Sequence, residues 1–243
     1  MGDFYFNMKP KAIFNLSSGK DSALALYKIS KENQFEITSL LTSINQEFQR
    51  ISMHGVHISL LEKQAESLGF SLIKMEIPKE PTIEEYQDTM IRTMNEIQSQ
   101  GVTRSIFGDI FLEDLRKYRE DQLNNIGMEA VFPLWKINTT DLIHEFLDLG
   151  FKTIVTCVNE TYLDKSFAGR IIDHDFIKDL PENVDPCGEN GEFHTFTFDG
   201  PIFKNPIDFK VGEIVKKTYP KPKSDENDQE GEYVFWFCDL ISK

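Results

Sequence analysis

A chain of 243 residues, 40% hydrophobic and 12% aromatic, can bury a full core, and its length suits one large domain or two modest ones. Its 40 acidic against 26 basic residues leave a formal net charge of −14, which repels phosphate backbones and sets nucleic acid aside as a first partner. Cys157, Cys187 and Cys238 form no CxxC pair, no run approaches the ~18 apolar residues of a membrane span, and the N-terminus lacks a signal peptide's basic and apolar regions, so reduced thiols and a cytoplasmic, membrane-free setting are expected.

Along the first half of the chain, β-rich apolar runs alternate with helical patterns, as in βαβ units about a parallel sheet. Strands are expected near 11–16, 36–42, 70–77, 104–108 and 129–132, and helices near 22–33, 55–68, 82–100 and 113–126. Thr82-Ile-Glu-Glu85 reads as a capping box, and Ile83, Tyr86, Met90, Met94 and Ile97 recur at helical spacing. Gly69, Gly101 and Gly127 stand where helices end. The pattern predicts a doubly wound α/β domain, whose ligands bind beyond the C-terminal ends of the strands.

The first strand-to-helix loop is Asn15-Leu-Ser-Ser-Gly-Lys-Asp-Ser22. Small residues let the backbone bend, and N–H groups at the following helix start form an anion site aided by the helix dipole. A Walker A loop is excluded, because Phe14 stands where its first glycine belongs and Asp21 follows Gly19-Lys20 in place of Ser or Thr. The plainer reading of the stretch is a serine-rich helix N-cap. It also resembles the S-G-G-x-D-S signature of the PP-loop ATP pyrophosphatases, which cleave ATP between its α and β phosphates. Ser18 replaces a glycine of that signature, which requires an ordinary backbone conformation there.

Three further segments are similar, in order, to one PP-loop family, the diphthine–ammonia ligase-like proteins. They are Ser52-Met-His-Gly-Val56, Gly108-Asp-Ile-Phe through Arg119-Glu120 to Pro133-Leu-Trp135, and Asp185-Pro-Cys-Gly-Glu-Asn-Gly-Glu-Phe-His-Thr195. The resemblance runs from about Lys11 to about Phe203. It implies a mostly parallel doubly wound domain over 1–135 and a smaller α+β domain over 136–243 that closes the site. It also implies ATP and Mg²⁺ as cofactors, and amide formation through adenylation of a carboxylate. The expected partners are a small-molecule or protein-side-chain carboxylate and an ammonia or amine donor, with a homodimer left open. Beyond Phe203 no motif is recognised; the stretch 220–231 is expected to be a loop between two strands, the last over Tyr233–Leu240.

In the proteins that amidate diphthine the last segment reads G-E-G-G-E-[YF]-E-T, whereas here His194 stands in place of the second acidic residue. Together with Met53-His54-Gly55 this looks like a bacterial branch whose hosts make no diphthamide, so the reaction type carries over and the acceptor does not. By the resemblance, Ser17, Ser18, Gly19, Lys20, Asp21 and Ser22 hold the phosphates, with Asp21 also a place for Mg²⁺ or a helix-start contact; His54, Gly108 and Asp109 border the nucleotide. Lys20, Asp21, Glu189, Glu192 and His194 are the candidate catalytic groups, and Arg119, Asn190 and Thr195 the candidate substrate contacts. Plainer alternatives stand beside these. Asp109 is placed to cap the next helix, Arg119 to lie on a solvated face, and Asn190-Gly191 to form a tight turn. Cys187 is a thiol with no neighbour that would activate it, and His54 and His57 share a helix start without a third metal ligand. Two other functions compete: a tRNA-modifying PP-loop enzyme, opposed by the charge and the cysteines, and a nucleotide sensor without chemistry.

Overall fold

The computed structural model describes residues 9–51, 54–79, 81–220 and 232–243. Ser52, Met53 and residues 221–231 of the loop expected over 220–231 lie outside these, while Pro220 ends a strand. The first half contains β1 (Lys11–Asn15), α1 (Lys20–Glu32), β2 (Glu36–Asn45), β3 (Arg50–Ile51), α2 (Ile58–Leu68), β4 (Leu72–Ile77), α3 (Ile83–Gln98), β5 (Val102–Ile106), α4 (Glu113–Asn124) and β6 (Glu129–Val131). Five of its strands are parallel in the order β4-β2-β1-β5-β6. Because β2 outruns β1, its last residues Ile44 and Asn45 are free to pair antiparallel with the two-residue β3. Every expected strand and helix of this half is present, and the chain is α/β with a doubly wound, mostly parallel sheet.

Ala12, Ile13 and Phe14 are fully buried in succession, as a central strand covered on both faces requires. Ala12 and Phe14 pack with α1 and α2 on one face, whereas Ile13 packs with α3 and α4 on the other. Strand order reverses between β1 and β5, so a crevice opens at their C-terminal ends. The capping box at Thr82 and Glu85 starts α3 as expected, and Gly69 ends α2 at φ 82°, a left-handed conformation that glycine adopts without strain. The apolar stripe of α3 is only half used for packing: Met94 and Ile97 are buried, but Ile83 is 80% exposed. Between them, Tyr86 and Met90 are partly buried against the same cluster and, with Ile91, also wall a cavity.

The second half contains α5 (Thr139–Asp148), β7 (Lys152–Asn159), α6 (His174–Asp179), β8 (Phe193–Asp199), β9 (Phe209–Pro220) and β10 (Glu232–Ser242). Its strands form a separate antiparallel sheet, β8-β7-β10-β9, in which the expected last strand is β10. One continuous apolar cluster, from Ala12 and Leu24 to Phe193 and Phe196, joins this sheet to the first. No helix among the described residues is long and apolar enough to cross a membrane.

Candidate active site

The site begins where β1 gives way to α1. Asn15 donates from its side-chain amide to Ser105 Oγ at 2.8 Å and to the Ile106 carbonyl at 2.9 Å, tying the ends of β1 and β5 together. The chain then reverses in three residues. Ser18 is fully buried at φ 73°, in the left-handed region, so the ordinary conformation expected for it is corrected. For a residue with a Cβ that conformation costs roughly 1–2 kcal/mol. It is held by two donors on the Ser18 carbonyl, the backbone N–H of Thr197 at 2.9 Å and Gln64 Nε2 at 3.1 Å. Beyond the turn, Ser17 and Ser22 bring their hydroxyls to 3.2 Å, and Ser22 donates to the Gly19 carbonyl at 2.9 Å.

The opposite wall comes from β8 and the loop before it. The Lys20 backbone N–H at the start of α1 donates to Thr195 Oγ1 at 3.0 Å, and His54 Nδ1 donates to the Thr195 carbonyl at 3.1 Å. Thr195 therefore takes one of the helix-start donors that the sequence reading assigned to a phosphate. Lys20 Nζ is buried against both oxygens of Asp21, at 2.7 and 2.8 Å, and the Cys187 carbonyl. Burial alone would lower the lysine's pKa, but the Asp21 carboxylate outweighs it and holds the ammonium protonated. Glu189 accepts from the Ile110 N–H at 2.8 Å; burial, which that bond only partly offsets, pushes its carboxyl up to about 7. The rings of His54 and His194 lie 4.7 Å apart. Burial lowers both, His54 to about 4, so both are neutral at pH 7, and His194 Nε2 is enclosed without a partner.

A third wall is built on β5 and α4. Arg119 pairs with Asp109 through Nε at 3.0 Å and Nη2 at 3.2 Å, and its guanidinium lies over the Phe107 ring at 4.2 Å. Neither plainer alternative holds, since the residue at the N-cap of α4 is Leu112 and Arg119 is turned inward. Burial raises the Asp109 carboxyl, against the pull of Arg119. Gly108 is where the two walls touch. A Cβ there would come within 3.0 Å of the Ser22 nitrogen and 3.1 Å of the Asp21 carbonyl carbon, so only glycine lets β5 approach the first turn of α1 this closely.

These walls enclose a cavity of about 490 Å³, lined by Ser17, Lys20, Asp21, Ser22, His54, Gly108, Asp109, Arg119, Glu189, His194 and Thr195 among the candidates. Four candidates do not line it. Ser18 and Gly19 form the back of the loop, Gly19 packed against His54 and Thr195. Glu192, 1% exposed, turns away and accepts from the Asp185 N–H and from Asn190 Nδ2, both at 3.1 Å, so Asn190 and Glu192 shape their own turn. Their expected places at the cavity are corrected on that geometry. Cys187 is buried with its thiol pushed far above the ordinary range, and His57 caps α2 by accepting from the Ser59 N–H at 3.2 Å. Sequence reading missed the lining residues Tyr86, Met90, Phe107 and Tyr118. The helical spacing on α3 carries a signal for two of them, Tyr86 and Met90, but does not tell a core face from a cavity wall.

Comparison with known proteins now bears on this arrangement. The model of the diphthamide synthase N-terminal domain matches residues 8–130, and that of the diphthamide synthase C-terminal domain matches 138–221. Diphthine–ammonia ligase of Bos taurus is 30% identical over 110 residues, 43% of this chain and 41% of its own length. The Homo sapiens protein of that name is 29% identical over 110 residues with the same coverage, and the Mus musculus one 28% over 131 residues, 52% of this chain and 47% of its own. The chain thus spans under half the length of these relatives. It belongs to the diphthamide synthase family.

Proposed function

We propose that this chain is an ATP-dependent, AMP- and pyrophosphate-forming amide ligase that adenylates a carboxylate for attack by ammonia or an amine. One observation carries the reading: the turn at Ser17–Ser22 and the distant segment Cys187–Thr195 wall the same cavity at the strand-order reversal. A phosphate-type loop alone would serve binding. The addition of Glu189, with a carboxyl near 7, supplies a proton acceptor matched to neutral pH, and His194 adds an uncharged imidazole to the same cavity.

ATP supplies the activation, since its α-phosphate turns a carboxylate oxygen into a leaving group. The chain's residues do the rest. Ser17 and Ser22 offer hydroxyls to the phosphates and Lys20 a positive charge beside them, and charge stabilised at the separating phosphates lowers the barrier. Among the described residues no three His, Cys, Asp or Glu side chains cluster as a metal cage. Asp21, the carboxylate nearest the phosphate loop and paired with Lys20, would be the one protein ligand to Mg²⁺ carried on the phosphates, where the ion would neutralise charge. Glu189 would take the proton that the attacking amine must lose, and Thr195 holds the start of α1 in place for the phosphates.

Asp21→Ala tests the reading directly. Calorimetric titration with ATP and Mg²⁺ should show binding to the wild type and loss of about 10²-fold or more in turnover for the folded variant. Unchanged ATP affinity and activity in the variant, or ADP and phosphate as wild-type products, would refute it.

A further inference from the structure

We infer that Arg119 seats the acceptor's carboxylate and that the wall formed by α3 and α4 takes an uncharged, apolar body behind it; this rests on the ligase reading above. Among the described residues lining the cavity, only Lys20 and Arg119 are cationic. Lys20 belongs to the phosphate loop and its ammonium is already engaged by Asp21 and the Cys187 carbonyl. A reaction that joins a polyphosphate to a carboxylate brings two anions, and one cation is left for the second.

Arg119 is built for that task. Phe107 fixes its guanidinium plane at 4.2 Å, and Asp109 accepts from Nη2 at 3.2 Å and lies 3.0 Å from Nε as an ion pair, without a hydrogen bond there. Nη1 and the second Nη2 hydrogen remain, a planar pair of donors that matches the two oxygens of a carboxylate better than a lysine could. The location also fits. Leu41, Thr42 and Ser43 of β2 line the cavity on the far side of β1, leaving the β5 side, where Arg119 stands, for a second molecule. Glu189 is anchored to the Ile110 N–H, next in sequence to Asp109, so the proton acceptor and the carboxylate seat adjoin.

The rest of this side decides the acceptor's character. Tyr86 and Met90 of α3 and Leu115 and Tyr118 of α4 face the cavity, and neither helix presents a charge to it besides Arg119. A second negative charge on the acceptor would be desolvated there without a partner. Flexible methionines and aromatic rings instead accommodate a planar or branched apolar group.

The test uses the full chain loaded with Mg²⁺ and an ATP analogue whose α–β bridge is a methylene. It is titrated calorimetrically with 3-phenylpropionate, with succinate and with 3-phenylpropanol. The wild type should bind 3-phenylpropionate at least tenfold more tightly than either of the others. Arg119→Gln should weaken 3-phenylpropionate on the order of tenfold to a hundredfold, leaving the nucleotide analogue within about threefold. Arg119→Lys, which keeps the charge but not the fork, should fall between, and it serves also if the glutamine variant does not fold. A nucleotide affinity that falls with Arg119 would make the residue a phosphate ligand and overturn the inference. So would equal affinity for 3-phenylpropionate in wild type and both variants, or a preference for succinate. A wild type that binds no nucleotide would instead sink the ligase reading itself.

Discussion

Ser17–Ser22 and Cys187–Thr195 face each other across one cavity, yet they are made in different ways. The first is local in its hydroxyls, which bond within the turn, Ser17 to Ser22 and Ser22 to Gly19, and its strand-to-helix junction fixes where it lies, although its Ser18 carbonyl takes donors from Thr197 and Gln64. The second is held from afar. Glu189 is tied to Ile110, Thr195 to the start of α1, and the Cys187 carbonyl to Lys20. Within it, two glutamates three residues apart have opposite fates, Glu189 at the cavity and Glu192 buried in the turn. Function-bearing side chains in a local turn are announced by type and spacing, whereas in a segment held by long-range contacts the partners decide which way each one faces.

The two glutamates give the sharpest way to break that contrast. Glu189→Gln should lower the rate of amide formation by about 10²-fold or more while ATP still binds, and should remove the limb of the pH–rate profile near 7. Its sign is that of a base: wild-type activity falls as pH drops below about 7, where the carboxyl is protonated. Stability should move the other way. A carboxyl raised from 4.5 to about 7 by burial binds its proton more tightly when folded, so wild-type stability falls as pH rises through that window, and Glu189→Gln should flatten the slope in denaturant melts. Glu192→Gln keeps an acceptor for the Asp185 N–H and should change the rate far less. Equal loss in both would erase the distinction.

At the seam between the walls, Gly108→Ala should push the first turn of α1 by a few tenths of an ångström. Overpacking of that kind costs about 1–3 kcal/mol. Chemical denaturation would record it, together with weaker ATP binding; full retention of both would mean the loop tolerates displacement. The smallest effect is expected at Ser18. Ser18→Gly removes a left-handed non-glycine residue and a buried hydroxyl without a partner, against the entropy of an added glycine. The balance should be neutral to stabilising by up to about 1 kcal/mol, read as a midpoint shift in urea. A loss of more than that would mean the hydroxyl has a partner after all.

The sequence by itself determined the parallel half of the fold and the position of its first loop. Alternating apolar runs, a capping box at Thr82 and a glycine after Leu68 are local signals, written in residues that are neighbours along the chain. Motif resemblance extended this to the far segment, and the family comparison bears that out at the level of the family. What only the tertiary structure decided is orientation. Ser18 is forced to positive φ by donors from Thr197 and Gln64, and Arg119 is turned off its solvated face by Phe107 and Asp109. On α3, Tyr86 and Met90 pack only partly against the core and wall the cavity as well, because the elements opposite them leave a gap there. In each case the deciding partner lies on another element, and burial together with hydrogen bonding across elements, not local propensity, sets the side chain's environment and its proton affinity.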